Sequence, residues 1–237
     1  MKNTLVLKRA TVMIVLGLGI FFSFIVPRAN AQTASPPQFL VTWKVFGSYI
    51  PSFYTGKTLP SFGSKITASF ELVSNGTILN IKSQTVYWYL DQVLIGGGTG
   101  IQQITFSPVG TPPSSLDLTI QFPSYDGGYL THQIEIPMVE PEAVIYSPYP
   151  NNNFSTNPLV VKALPFFFDT ASSTELAYTW GVNNQTSSNS ESPQGADIIL
   201  PQGTPSGSTF AVSLTIENPF DSTIATADDN LTYNQQL

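Results

Sequence analysis

Hydrophobic and polar residues alternate along much of the chain from residue 38 onward. Ile66, Ala68, Phe70 and Leu72 fall on one face of a run whose other face carries Thr67, Ser69 and Glu71, the period-two pattern of a half-buried strand. Leu116, Leu118, Ile120 and Phe122 alternate with Asp117, Thr119 and Gln121 in the clearest strand of the sequence. Residues 39–45, 104–106 and 130–138 read as further strands, and Ser74-Asn75-Gly76-Thr77 supplies the Asn-Gly pair of a tight hairpin. Val86, Trp88 and Leu90 share one face of a Trp-bearing strand, after which Gly96-Gly97-Gly98 is expected to break the chain into a loop. No stretch shows the periodicity of an amphipathic helix.

The pattern restarts after Val139-Glu140-Pro141-Glu142. Strands are expected at 143–146, 159–168, 176–182, 198–200 and 210–216, the last alternating as cleanly as its counterpart in the first half. Tyr87-Trp88-Tyr89-Leu90-Asp91-Gln92 has a second version in Tyr178-Thr179-Trp180-Gly181-Val182-Asn183-Asn184, and matching the tryptophans gives an offset of 92 residues. Leu-Thr-Ile recurs at 118–120 and 214–216, an offset of 96, so four extra residues are assigned to the Ser/Gly/Pro-rich stretch 187–208. Short alternating strands with frequent turn signals point to an all-β fold of two tandem antiparallel β-sandwiches, 38–139 and 140–237, of about 100 residues each. Trp88 and Trp180, on apolar faces at matching places, are expected to be core anchors.

Ahead of these units, residues 1–31 have the layout of an export signal: Lys2, Lys8 and Arg9, an apolar run over 11–26, and an Ala29-Asn30-Ala31 cleavage site. The apolar run is short for a membrane-spanning helix, so export with cleavage before Gln32 is expected, followed by a flexible leader over 32–37. Membrane contact is then expected only through an uncleaved signal. Past the signal the chain holds five basic residues (Lys44, Lys57, Lys65, Lys82 and Lys162) against fifteen acids, a formal charge of −10. No basic stripe can hold a phosphate backbone, and nucleic acid is not an expected partner. The absence of cysteine excludes disulfides, thiolate metal sites, a Cys nucleophile and a lipidated Cys. Stability has to come from packed apolar cores.

Tyr-x-Trp on a central strand with an Asn/Asp-containing turn after it resembles the immunoglobulin-like and PKD-like domains of bacterial surface proteins. Tyr178-Thr179-Trp180 with Asn183-Asn184 matches; around Trp88 and Asp91 the match is weaker, since Val86 stands where the Tyr belongs. The Glu-Pro-Glu junction is also similar to two-domain exported proteins, pilus-associated in minimal-genome bacteria. The resemblance implies a structural, adhesive or envelope-assembly role with protein partners at the cell surface, and no cofactor. A carbohydrate-binding or enzyme-accessory module is the alternative, and a hydrolase the third reading.

Candidate chemistry is sparse. His132 is the only histidine, shares parity with Leu130, Ile134 and Ile136, and has neither a G-x-S-x-G elbow nor an H-E-x-x-H pair beside it; it reads as a structural or edge-strand residue. Glu71, Asp117, Glu135 and Glu217 are expected on wet strand faces rather than in a paired-carboxylate site. Asp126, Asp221, Asp228 and Asp229 are turn or near-turn acids able to ligate calcium, although no D-x-D-x-D-G loop is present. Tyr49, Phe53, Tyr54 and Phe62 in the irregular segment 47–63, and Tyr146 and Tyr149 near the junction, are the candidates for partner contact. Phe53, Tyr54 and Phe62 could instead cover the edge or bottom of the first sandwich. The places where the two copies differ, including 96–100, are where function is sought.

Overall fold

Alternation is borne out at the first long strands: Ile66, Ala68, Phe70 and Leu72 are all buried while Glu71 is exposed. The computed structural model describes residues 36–108, 115–183, 185–187 and 194–235; the expected export signal lies outside them, as do most of the residues of the leader.

In the first half, β1 (Gln38–Phe46) pairs with β2 (Lys65–Ser74), which also pairs with β3 (Thr77–Ile78) and with β6 (Gln103–Phe106). The opposing sheet has the order β5 (Val93–Thr99), β4 (Thr85–Leu90), β7 (Ser115–Tyr125), β8 (Gly128–Pro137). In the second half, β9 (Glu142–Tyr146), β11 (Leu159–Phe166) and β14 (Gly195–Ile198) form one sheet, in the order β14-β11-β9. The other runs β10 (Asn153–Phe154), β16 (Thr223–Tyr233), β15 (Ser208–Asn218), β12 (Ala177–Val182), β13 (Gln185–Ser187). Apart from the hairpin strand β3 and the parallel strand β10, both halves therefore have the same strand order, three strands against four. That is the immunoglobulin-like sandwich. The only helical elements among the described residues are two short 3₁₀ turns, Pro150–Asn152 and Ser173–Glu175.

Each half has its own apolar cluster. Trp88 is fully buried beside Phe70, whose ring is 5.5 Å away, and Phe122 meets Phe70 edge-on at 5.8 Å; the indole N–H donates to the Ile101 carbonyl at 3.2 Å. Trp180 is buried among Phe168, Leu214 and Ile216 in the second cluster. No residue belongs to both clusters. Strands pair only within their own half among the described residues.

Two expectations are corrected, and one strand that the pattern did not mark is added. Gly96-Gly97-Gly98 is not a loop: it lies in β5, with Gly96 opposite Trp88. A Cβ at Gly96 would run into Ile104, and one at Gly97 into the Tyr87 ring, so the glycines admit close neighbours rather than end a strand. The second correction concerns the repeat. Trp88 pairs with Ile120, whereas Trp180 pairs with Leu214, an offset of 94 on the partner strand. The Leu-Thr-Ile match at 96 is a slip of two residues, and a slip of two keeps every side chain on its own face, so alternation cannot detect it. The added strand is β16, eleven residues long, which carries small Ala225 and Ala227 on its inward face, where no alternation of large apolar residues marks it.

The Asn/Asp turn has a shared purpose. Asp91 adopts φ +47° and Asn183 adopts φ +47°, the left-handed region these two residue types tolerate. The Asp91 N–H donates to the Asp117 carbonyl at 2.9 Å, and its Oδ1 accepts from the Asp117 N–H at 3.0 Å. Asn183 makes the same two contacts with Ala211, at 2.8 and 3.0 Å. The turn after the Trp strand is thus clasped to the neighbouring strand by one Asx side chain. Asp91→Ala is expected to lower unfolding stability by about 1–2 kcal/mol and Asp91→Asn by less than about 0.5 kcal/mol in denaturant titration; equal losses would contradict the clasp.

Candidate binding surface at the joint

After β1 the chain leaves the first sandwich and reaches the second before it returns as β2. Tyr49 is the contact point: its N–H donates to the Phe168 carbonyl at 2.8 Å, and its carbonyl accepts from the Phe167 N–H at 2.6 Å. Phe167 is buried and holds φ +61°, a conformation that costs a bulky residue on the order of 1–2 kcal/mol and persists only where neighbours fix it. The Tyr54 ring meets Phe166 and Phe167 edge-on at 6.0 and 5.9 Å. Burial, together with nearby Tyr49, pushes the Tyr178 phenol up to about 12, with the Ser173 side chain pulling the other way; the phenol O–H donates to the Ser173 carbonyl at 2.7 Å.

The returning part of the segment is tied on the other side. Val139 N–H donates to the Pro60 carbonyl at 3.0 Å. Ser61 and Ser64 are fully buried, and their mutual bonds of 3.0 and 3.2 Å satisfy them. Gly47 and Gly63 have φ of +75° and +86°, and a Cβ at either would run into the Asp169 carboxylate. Asp169 thus sits over two glycine backbones from the other sandwich. Its main-chain carbonyl accepts from Asn218 Nδ2 at 3.1 Å, and Asn218 is buried with its Oδ1 bound to the Phe220 N–H at 3.1 Å. Burial and the neighbouring Asp221 raise the Asp169 carboxyl above its ordinary value, with Lys65 pulling the other way.

Beside this joint lies an apolar cleft of about 270 Å³. Phe62, Val139, Pro141 and Ile224 line it, together with polar Glu140 and Thr223. Phe62 is 43% exposed and Ile224 57% exposed. Phe220, at the tip of the β15–β16 hairpin, is 79% exposed. The exposed parts of Phe62 and Ile224 leave apolar surface open to water there.

The structure separates the aromatic candidates. Phe53, Phe62 and Tyr146 are exposed; Tyr49 and Tyr54 are half-buried in the joint. Tyr149 packs on the second core, 5.7 Å from Phe154, with its hydroxyl 2.6 Å from that of Thr156. His132 lies on β8, at the margin of its sheet, and stacks on Phe39 at 4.9 Å, a packing contact that bridges the two sheets. The four candidate calcium ligands are not brought together. Asp126 is exposed in the β7–β8 turn. Asp221 accepts from the Thr223 N–H at 2.9 Å. Asp228 is exposed on β16, while Asp229 Oδ1 accepts from Asn152 Nδ2 at 2.7 Å and from the Asn230 N–H at 2.8 Å. Among the described residues no three His, Cys, Asp or Glu side chains form a metal-binding group.

Sequence reasoning missed Val139, Ile224 and Asp169. A signal existed for the joint: Phe166-Phe167-Phe168 is a run of three consecutive aromatics that one sandwich face cannot bury.

No protein-family model matches the sequence, and no curated protein matches it. Among solved structures, the fibronectin(III)-like modules of Clostridium thermocellum CbhA are 15% identical over 84% of this chain and 96% of that one, with a TM-score of 0.31. A bacterial ice-binding adhesin is 12% identical over 85% of this chain and 65% of its own, TM-score 0.30. Tandem Ig repeats of Dlar are 8% identical over 84% and 98%, TM-score 0.26. Likenesses of this size assign no function, and the fold description rests on the strand order.

Two variants test the joint. Gly63→Ala is expected to expose the segment 47–64 to limited proteolysis while near-UV signals from both tryptophan cores persist; unchanged protection would contradict the fit to Asp169. The raised Asp169 carboxyl contributes stability that is fully present below its unfolded value of about 3.8 and lost as pH rises through its higher folded value. The melting temperature of Asp169→Asn relative to the native chain is therefore expected to increase from about pH 4 to about pH 7, and a constant difference would refute that origin.

Proposed function

We propose that this is an exported, non-catalytic binding module that acts at the cell surface, with its two sandwiches held by the joint and the cleft between Phe62 and Ile224 presented to a protein partner. The observation that carries the reading is the exposed cleft of about 270 Å³, whose walls come from both halves of the chain. A site built that way needs the halves in a fixed relation. The backbone pairing of Tyr49 with Phe167 and Phe168 supports it. The partner's complementary feature is an apolar side chain inserted between Phe62 and Ile224, ringed by polar contacts to Glu140 and Thr223. A place in an envelope or pilus assembly is the finer form of the same proposal.

A photo-crosslinking side chain at Phe62 tests it in cells. The expected result is one defined adduct that is lost with Ile224→Ser and absent when the same group replaces exposed Glu71. An adduct pattern indistinguishable between positions 62 and 71, or turnover of any substrate by the purified chain, would refute the proposal.

A carbohydrate-binding reading rests on a different place. The outer face of β1 and β2 holds a depression of about 500 Å³ lined by polar Thr42, Ser69, Glu71, Gln102 and Gln103 and by apolar Leu40 and Phe70. Hydroxyl, amide and carboxylate groups are the complement of sugar hydroxyls. A saccharide signal on a glycan array that vanishes with Gln103→Ala would favour this reading over the cleft.

A further inference from the structure

Both sandwiches end their four-stranded face on a long last strand, and the two edges are treated differently. In the second half the edge of β16 is blocked: β10 pairs with it in parallel at Asn153↔Thr232 and Phe154↔Tyr233, and Asn152 holds Asp229 at 2.7 Å while Asn234 Nδ2 holds Asn153 at 2.6 Å. The corresponding edge of the first half, β8, pairs with β7 on one side and with no described strand on the other. Its pairing with β7 runs without a bulge from Ser115↔Pro137 to Phe122↔Leu130, so its free backbone edge is regular over the same length. Its only proline is the last residue, it has no lysine, and its single charge is Glu135. These are the devices by which edges are normally guarded. The other long strand at this seam, β1, is guarded: it carries Lys44, and Lys57 Nζ lies 3.3 Å over the Trp43 ring.

We propose that the β8 edge is a self-association surface, with β8 of a second copy pairing antiparallel across a twofold axis at His132. Only an antiparallel arrangement satisfies a twofold perpendicular to the sheet. With His132 on the axis, Leu130 of each copy faces Ile134 of the other on the inward side. On the outward side Thr131 faces Gln133 and Tyr129 faces Glu135. No acid meets an acid in this register, so the two copies of the strand are compatible in charge. The inward-facing Leu130, His132 and Ile134 remain half-buried at the seam, and the second copy's apolar positions complete the layer that these residues leave open. This surface is separate from the cleft at the joint, and either can fail without the other.

The test is sedimentation of the purified full chain over a concentration series, with two variants at exposed β8 positions. The native chain is expected to form dimers. Thr131→Lys with Gln133→Lys sets lysine against lysine at both facing pairs and is expected to weaken the dimer about tenfold or more. Thr131→Glu with Gln133→Lys sets opposite charges face to face and is expected to restore it. A native chain that stays monomeric at every concentration overturns the proposal, whether or not it takes up a strand from another protein. So does a dimer that the two lysines leave unchanged. Equal weakening by both variants overturns the His132-centred register.

Discussion

The two backbone hydrogen bonds between Tyr49 and the Phe167–Phe168 pair are the constraint on which the rest of the arrangement depends. Without them the chain would be two sandwiches on a string, each complete in its core, and the cleft would have no fixed walls. The remaining features of the joint are adapted to this contact. Phe167 accepts a left-handed backbone so that its N–H can reach Tyr49. Gly47 and Gly63 give up their side chains where Asp169 lies. Ser61 and Ser64 bond one another where no water reaches them. Strain, a partly desolvated carboxylate and buried hydroxyls are each unfavourable alone, and together they mark a segment shaped for its neighbour rather than for its own stability.

Each sandwich, by contrast, follows generic rules, and that is why it was legible. Alternation identified β2, β7 and β15, because one face of each is buried and the other wet. The Asn-Gly hairpin was readable from dihedral preference alone, and Asn75 and Gly76 do adopt φ +50° and +74°. The Trp strand with its Asx turn was readable because the same clasp was built twice. Legibility failed where local signals have two causes. Three glycines in a row signal a break, yet in β5 they make room for Ile104 and Tyr87. A repeated tripeptide suggested the wrong alignment because a period of two hides a slip of two.

The joint and cleft were only partly legible, for a related reason. Phe62 was a candidate on its aromatic character, whereas Val139 and Ile224 look like ordinary strand or linker residues until the two halves meet. Tyr49 and Tyr54 sit in the joint, which the pattern does not announce, since a one-dimensional pattern distinguishes buried from exposed faces but not one sandwich from the next. What distinguishes the two copies is therefore not their cores but what has been added between and beside them: the inserted segment 47–64 in the first, and the edge strand β10 in the second.

The central claim, that the joint fixes the two sandwiches relative to each other, is open to one direct measurement because the chain has no native cysteine. Spin labels on cysteines placed at exposed Glu71 in β2 and exposed Glu217 in β15 report the distance between the halves by pulsed electron resonance. A single narrow distance distribution is predicted. A broad distribution, of the kind given by two domains on a flexible linker, would contradict the account.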